Sequence, residues 1–220
     1  MASAEKEYRR AIELDPDGAQ TYYWYSDFLA VSGRFDEALN MSLKAKELAP
    51  FTPSMDYNVG RVLYYARRFD EAEKYLTGAI NENPNNNSAR SILGFVYLQQ
   101  PSAEKHAAAL RIFEELYASD KKAFAAALGY ADGVVGKKAE ALAKLDELEK
   151  LEGVDDYVPT HEKALIYIGW RDREKSVLSL EKAFQEKFIG FSALNVDPLY
   201  DDLRSDSRIK NLLRQMNFND

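Results

Sequence analysis

The chain has 220 residues, of which 46% are hydrophobic and 30% charged, the ordinary balance of a globular protein. A net charge of −7 argues against a nucleic-acid-binding or anionic-membrane-binding surface, and no apolar run approaches the roughly 20 residues of a membrane helix. Without cysteine, and with only His106 and His161, the sequence predicts no enzyme, no metal site and no cofactor.

The first predicted elements are helices that end at proline. One helix runs up to Pro16, a second spans 21–32 and is broken by Gly33, and a third ends before Pro50. Asp36 is predicted to be the N-cap of this third helix. The second helix has one apolar face with three- and four-residue spacing, formed by Tyr22, Tyr25, Leu29 and Ala30.

The same landmarks then recur at a fixed interval of 34 residues. The contexts IELDPDG, KELAPFT and INENPNN each close a helix, and GRFDEAL matches RRFDEAE. The residues that keep the interval are Pro16, Pro50 and Pro84; Ala11, Ala45 and Ala79; Ala38 and Ala72; and Phe35 and Phe69. This repeated order of helix, short turn, helix and proline predicts an array of antiparallel helix pairs.

These repeats resemble the tetratricopeptide repeat family, whose pattern is W-x2-L-G-x2-Y, then A-x3-F, then P. The resemblance is clearest in residues 53–86, with Val59, Gly60, Leu63, Ala72, Leu76, Ala79 and Pro84. No unit carries the leading tryptophan of the pattern. The resemblance implies an all-α, right-handed α-solenoid, the tetratricopeptide superhelix, with a C-terminal capping helix.

The repeats define one predicted domain over residues 1–220. Residues 1–18 supply only a second helix, and this half repeat leads us to expect that the chain is cut from something longer. The predicted units are the half repeat 1–18, the repeats 19–52, 53–86, 87–120, 121–153 and 157–190, and a capping tail over 194–220.

The predicted tail departs from the repeat. Ser205 is predicted to be the N-cap of a last helix that covers the final repeat with Ile209, Leu212, Leu213 and Met216. Its sequence resembles the tails of tetratricopeptide arrays in bacterial winged-helix activators, adenylate cyclases and Ser/Thr kinases. The matching residues are Val196, Asp197, Pro198, Asp202, Leu203, Arg204, Ser205, Asp206, Leu212 and Leu213.

The stretch TYYWYSDF divides into two faces at about 100° per residue. Tyr22 and Tyr25 point toward the core, and the opposite face of each first helix corresponds to the concave groove in which family members bind peptides. The resemblance and the helical angle place in this groove Tyr23, Trp24, Asp27, Tyr57, Asn58, Arg61, Tyr64, Tyr65, Ser91, Phe95 and Gln99. Some of these rings could instead pack between neighbouring repeats.

We therefore predict a non-enzymatic scaffold that binds a protein or peptide, with no direct contact to nucleic acid or membrane. The tail resemblance implies the regulatory region of a bacterial transcription or signalling protein, and we predict a cytoplasmic location. Binding of chaperone C-terminal carboxylates is disfavoured because Tyr23 and Asp27 occupy positions where that clamp needs lysine and asparagine. The alternative is a self-association module, a homodimer, that dimerises its parent protein.

Overall fold

A computed structural model describes residues 2–152, 160–186 and 192–216. Within these ranges the structure contains helices and no strand. The α-helices are α1 (Ala2–Leu14), α2 (Ala19–Val31), α3 (Phe35–Leu48), α4 (Pro53–Tyr65), α5 (Phe69–Glu82), α6 (Asn87–Leu98), α7 (Ala103–Ser119), α8 (Lys121–Val134), α9 (Lys138–Leu151), α10 (Thr160–Gly169), α11 (Arg173–Gln185) and α12 (Ser207–Gln215). A 3₁₀ helix spans Pro198–Leu203.

Consecutive helices pack in pairs, as the 34-residue period predicts. The helix α2 packs on α3, α4 on α5, α8 on α9 and α10 on α11. The predicted all-α solenoid fold of helix pairs is therefore confirmed. In the described part of the chain, no helix is long and apolar enough to cross a membrane.

The chain divides into two compact units, Met1–Val96 and Tyr97–Asp220, so the boundary falls within α6. The predicted single domain and its repeat boundaries stay predictions. Parts of the predicted units at 121–153 and 157–190, and the last residues of the tail 194–220, lie outside the described residues.

In the first unit, alanine occupies fully buried positions on the second helix of each pair. Ala38, Ala45, Ala72 and Ala79 have no exposed surface. Their small side chains let the second helix of a pair approach the first, and the interval of 34 residues places them at equivalent positions. Leu76, with Cγ 2.6 Å from the point where a β-carbon on Gly60 would lie, fills the space that this glycine leaves.

The short turns of four helix pairs, α2–α3, α4–α5, α8–α9 and α10–α11, each contain one residue with positive φ. Gly33 has a φ of 77° and Gly136 one of 83°, whereas arginine adopts this conformation at Arg67 (60°) and Arg171 (63°). The backbone amide after each of these residues turns back to a carbonyl in the preceding helix, as in Arg34 N–H to Leu29 O at 3.0 Å. The left-handed residue therefore ends the first helix and reverses the chain.

Two predicted N-caps are wrong by one or two residues. Arg34 precedes α3, and Asp36 lies in its first turn, where a carboxylate faces the positive end of the helix dipole. At α12 the cap is Asp206, whose side chain accepts a hydrogen bond from Arg208 N–H at 2.9 Å. Ser205 instead accepts from Arg173 Nη2 at 3.1 Å.

In the second unit, glycine brings α8 and α10 into backbone contact. A β-carbon on Gly169 would lie 2.4 Å from the carbonyl oxygen of Tyr130, and one on Gly133 would lie 2.7 Å from the carbonyl carbon of Gly169. The last helix α12 packs on α11 with Ile209, Leu212 and Leu213 buried. Arg208 holds it with a two-pronged ion pair to Glu174, at 2.8 and 2.9 Å.

Candidate functional site

The helix α2 separates its four consecutive aromatic residues by burial. Tyr22 and Tyr25 are 8% and 5% exposed, in agreement with their predicted core positions. Tyr23 is half-buried, and Trp24 is 52% exposed. The rings of Tyr23 and Trp24 meet edge to face with their centroids 5.0 Å apart, so Tyr23 supports an indole that solvent reaches.

An ion pair joins α2 to α4 beside these rings. Arg61 Nη2 donates to Asp27 Oδ1, and both side chains are 22% exposed. Asn58 Nδ2 donates to the same carboxylate oxygen at 2.8 Å. The guanidinium carbon of Arg61 lies 5.3 Å from the centroid of the Tyr57 ring, within range of a cation–π interaction.

The electrostatics of this pair keep Arg61 charged. Burial lowers the pKa of Arg61, but the Asp27 carboxylate outweighs this effect and leaves that pKa above its ordinary value. Burial raises the pKa of Tyr23, an effect that Arg61 opposes and that Asp27 and Tyr57 reinforce. The Tyr23 hydroxyl is therefore a neutral hydrogen-bonding group at neutral pH.

Three residues predicted for the groove are buried instead. Tyr64 has no exposed surface, Tyr65 is 9% exposed and Asn58 has none, so their predicted groove-lining exposure is wrong. The physical reason is that α4 contacts α2, α3 and α5, so that one helix has neighbours on several sides. Tyr64 lies between two rings, with centroids 5.6 Å from Tyr65 and 6.2 Å from Phe69.

The remaining predicted groove residues lie on α6 and just beyond it. Ser91 and Phe95 are half-buried and belong to the first unit. Gln99 belongs to the second unit, where its Nε2 donates to the Tyr130 hydroxyl at 3.3 Å. Their role in binding stays a prediction.

The sequence pattern did not predict a buried chain of hydrogen bonds that lies next to the ion pair between Asp27 and Arg61. The Ser26 hydroxyl lies 2.9 Å from Asn58 Oδ1, and both residues have no exposed surface. Asn58 thus connects Ser26 to Asp27. The sequence offered one signal for this link: Ser26, a small polar residue on the core face of α2, is followed about one repeat later by the amide Asn58. The same pattern would also fit two polar residues on the surface.

In the second unit, a histidine is held neutral by burial. His161 Nε2 lies 2.8 Å from the Tyr200 hydroxyl, which joins α10 to the 3₁₀ helix. Burial lowers the pKa of His161 to about 4, so its imidazole carries no charge at neutral pH. The pair fixes the tail against α10.

Tyr23, Trp24, Asp27, Tyr57 and Arg61 together form what we call the aromatic surface. It combines large ring area with hydrogen-bonding edges and an internally neutralised ion pair. Such side chains contribute most of the free energy at protein interfaces. The site is suited to recognition of another chain.

The fold defines a protein built from helix-pair repeats. The model of the tetratricopeptide repeat family matches residues 2–51 and 57–111. Residues 2–51 and 57–111 therefore form tetratricopeptide repeats, as the sequence pattern predicted.

Three solved structures, two of them described as TPR proteins, have a similar fold. YrrB, described as a TPR protein with an unusual peptide-binding site, aligns with a TM-score of 0.52 and 22% identity over 85% of this chain and 95% of its own. TTC0263 of Thermus thermophilus, a thermophilic TPR protein, aligns with a TM-score of 0.62 and 18% identity over 90% and 100%. PilF of Pseudomonas aeruginosa aligns with a TM-score of 0.58 and 18% identity over 94% and 90%. No curated protein sequence matches the chain significantly.

Proposed function

We propose that the chain is a non-enzymatic scaffold that binds a peptide or protein segment through the aromatic surface. The observation that carries the proposal is Trp24, which is 52% exposed on a helix whose other side is buried. Unlike a single exposed ring, Trp24 belongs to a cluster of aromatic rings and an arginine, and such a cluster is typical of a site that a partner covers. YrrB, a repeat protein of the same fold that is described as having a peptide-binding site, supports this use of the fold.

The test removes aromatic rings at two separate places in the first unit. Trp24→Ala with Tyr57→Ala removes ring area from the aromatic surface, and Phe51→Ala, at a residue that is 94% exposed, removes a ring elsewhere. We expect the double variant to lose partners that the wild-type chain captures from an extract of its native cell, and the Phe51 variant to retain them. Circular dichroism should show the same helical content in both variants. Equal capture by all three proteins would contradict the proposal.

We further propose that the scaffold is the regulatory region of a cytoplasmic bacterial transcription or signalling protein. Support comes from the resemblance of the tail between Val196 and Leu213 to the tails of such regulators. The net charge of −7 supports a partner that is neither nucleic acid nor an anionic membrane. Deleting this region from its parent should change regulation without removing the parent's own biochemical activity.

The alternative of self-association makes a separate prediction. A module that dimerises its parent should show a sedimentation coefficient that rises with concentration. A sedimentation coefficient that stays at the monomer value up to high concentration would contradict this alternative and leave the peptide-binding proposal intact.

A further inference from the structure

Arg61, the arginine of the aromatic surface, already interacts with two residues of the chain itself. Its guanidinium donates to Asp27 and lies over the Tyr57 ring at 5.3 Å. Arginine recognises a partner chiefly by donating its N–H groups to a carboxylate and by stacking on a ring. At Arg61 the carboxylate is supplied by Asp27 and the ring by Tyr57, both from the chain itself.

A buried residue, Asn58, holds the Asp27 side chain in this position. Its carboxylate also accepts from Asn58 Nδ2 at 2.8 Å, and the buried Asn58 is in turn in contact with the Ser26 hydroxyl at 2.9 Å. A partner carboxylate that displaced Asp27 from Arg61 would leave a largely buried acid without its cation. Leaving a buried carboxylate unpaired costs more free energy than a new, exposed ion pair between Arg61 and the partner would contribute. The ion pair between Asp27 and Arg61 is therefore favoured.

The aromatic surface consequently has a net charge of zero with both signs present. An incoming carboxylate meets Asp27 and an incoming ammonium meets Arg61, and neither finds an unpaired counter-charge there. Apolar and aromatic groups, by contrast, find the exposed indole of Trp24 and the edges of Tyr23 and Tyr57. The paired charges of the aromatic surface therefore disfavour charged partner segments, and its exposed rings favour uncharged ones.

We propose that the aromatic surface selects a partner segment that is uncharged where it touches the surface and that places an aromatic or leucine-type side chain on Trp24. Asp27 imposes this selection by occupying Arg61. This inference rests on the proposed function and adds to it the chemical class of the partner. Replacing Asp27 by asparagine should turn the surface toward acidic segments, because Arg61 then has an unpaired charge.

The test uses a random dodecapeptide display library against the full chain, in wild-type, Trp24→Ala and Asp27→Asn forms. Peptides selected by the wild-type chain are expected to be depleted in Asp, Glu, Lys and Arg relative to the unselected library, and rich in aromatic residues and leucine. The Trp24→Ala variant should not enrich them. The Asp27→Asn variant should enrich peptides that contain Asp and Glu, whereas Asp27→Asn with Arg61→Gln should not.

The outcomes separate this inference from the proposed function. Trp24-dependent peptides that are rich in Asp and Glu, or in Lys and Arg, would overturn the inference and leave peptide binding standing. No Trp24-dependent enrichment would overturn both. Acidic peptides selected equally by the single and double variants would overturn the role assigned to Asp27 and Arg61.

A second measurement avoids the dependence on a folded Asp27 variant. One peptide selected by the wild-type chain is synthesised with Asn, Asp or Lys at a position next to its aromatic residue, and binding is followed by Trp24 fluorescence in a Trp170→Phe background. We expect the Asp and Lys peptides each to bind on the order of tenfold more weakly than the Asn peptide. Equal or tighter binding of the Asp peptide would refute the proposed selection.

Discussion

Arg171 holds a backbone conformation that favours glycine. Its φ of 63° matches the 83° of Gly136, which has the equivalent place after α8. In the left-handed region a β-carbon crowds the following carbonyl oxygen, so arginine is strained there and glycine is not.

We expect Arg171→Gly to stabilise the protein by about 1 kcal/mol, because it relieves this strain and the Arg171 side chain is exposed. Urea unfolding monitored by circular dichroism measures the change. Gly136→Ala is the matched control and should destabilise by a similar amount. A loss of stability in the Arg171 variant would mean that its side chain contributes more than its backbone costs.

Asp132 is an acid on α8 that is only 4% exposed. Burial raises its pKa to about 6, with Lys137 opposing and Glu140 and Glu114 reinforcing the shift. Because the folded-state pKa is above the unfolded value of 3.8, the native state takes up protons more readily than the unfolded chain. Stability therefore falls as the pH rises from about 4 to about 6, and the loss stays constant above that range.

Asp132→Asn removes this ionisation. We expect it to stabilise the protein by about 1–2 kcal/mol at pH 7.5 and to give little gain at pH 4. Chemical denaturation at the two pH values measures the difference. Asp146→Asn, at an exposed acid on α9, is the control for the loss of one carboxylate. An equal gain at both pH values would assign the effect to packing rather than to charge.

At the scale of elements, the contact between α8 and α10 depends on the absence of a side chain. A β-carbon on Gly169 would lie 2.4 Å from Tyr130 O and 2.8 Å from Tyr130 Cα, and both are backbone atoms that have no rotamer to change. Insertion of a methyl group must therefore separate the two helices.

We expect Gly169→Ala to destabilise by about 1–3 kcal/mol in thermal or urea unfolding. Gly78→Ala on α5 is the control, because its nearest neighbour outside its own helix would be Asp56 Oδ2 at 3.9 Å. A helix-interior glycine with such space should gain about 0.5–1 kcal/mol on replacement by alanine. Opposite signs for the two variants are the expected result, and equal signs would contradict this account of the contact.

The repeat period predicted the helices well and their exposed faces only in part. The helical angle along α2 correctly separated Tyr22 and Tyr25 from Trp24. The same angle misplaced Tyr64, because periodicity describes one helix and burial depends on how many neighbours that helix has. The link from Ser26 through Asn58 to Asp27 depends on the distance between two helices, which no local pattern contains.

The whole chain contains one tryptophan in each compact unit, Trp24 in the first and Trp170 in the second. In repeat arrays, stability is roughly a sum of local terms, so distant units need not unfold together. Each indole therefore reports on its own unit when the other is replaced by phenylalanine.

We expect urea unfolding followed by Trp24 in a Trp170→Phe chain and by Trp170 in a Trp24→Phe chain to have different midpoints. Adding Gly169→Ala should shift the Trp170 transition and leave the Trp24 transition in place, since Gly169 belongs to the second unit. A common shift of both transitions would show that the two units unfold as one.

The division of α2 into buried and exposed aromatic residues has an evolutionary consequence. Tyr22 and Tyr25 are constrained by the helices that they pack on, whereas their neighbour Trp24 has few packing constraints. A single codon change at Trp24 alters what the surface touches and leaves the helix pair in place. Descendants of this chain can thus acquire new partners by small mutational steps, at nearly constant stability.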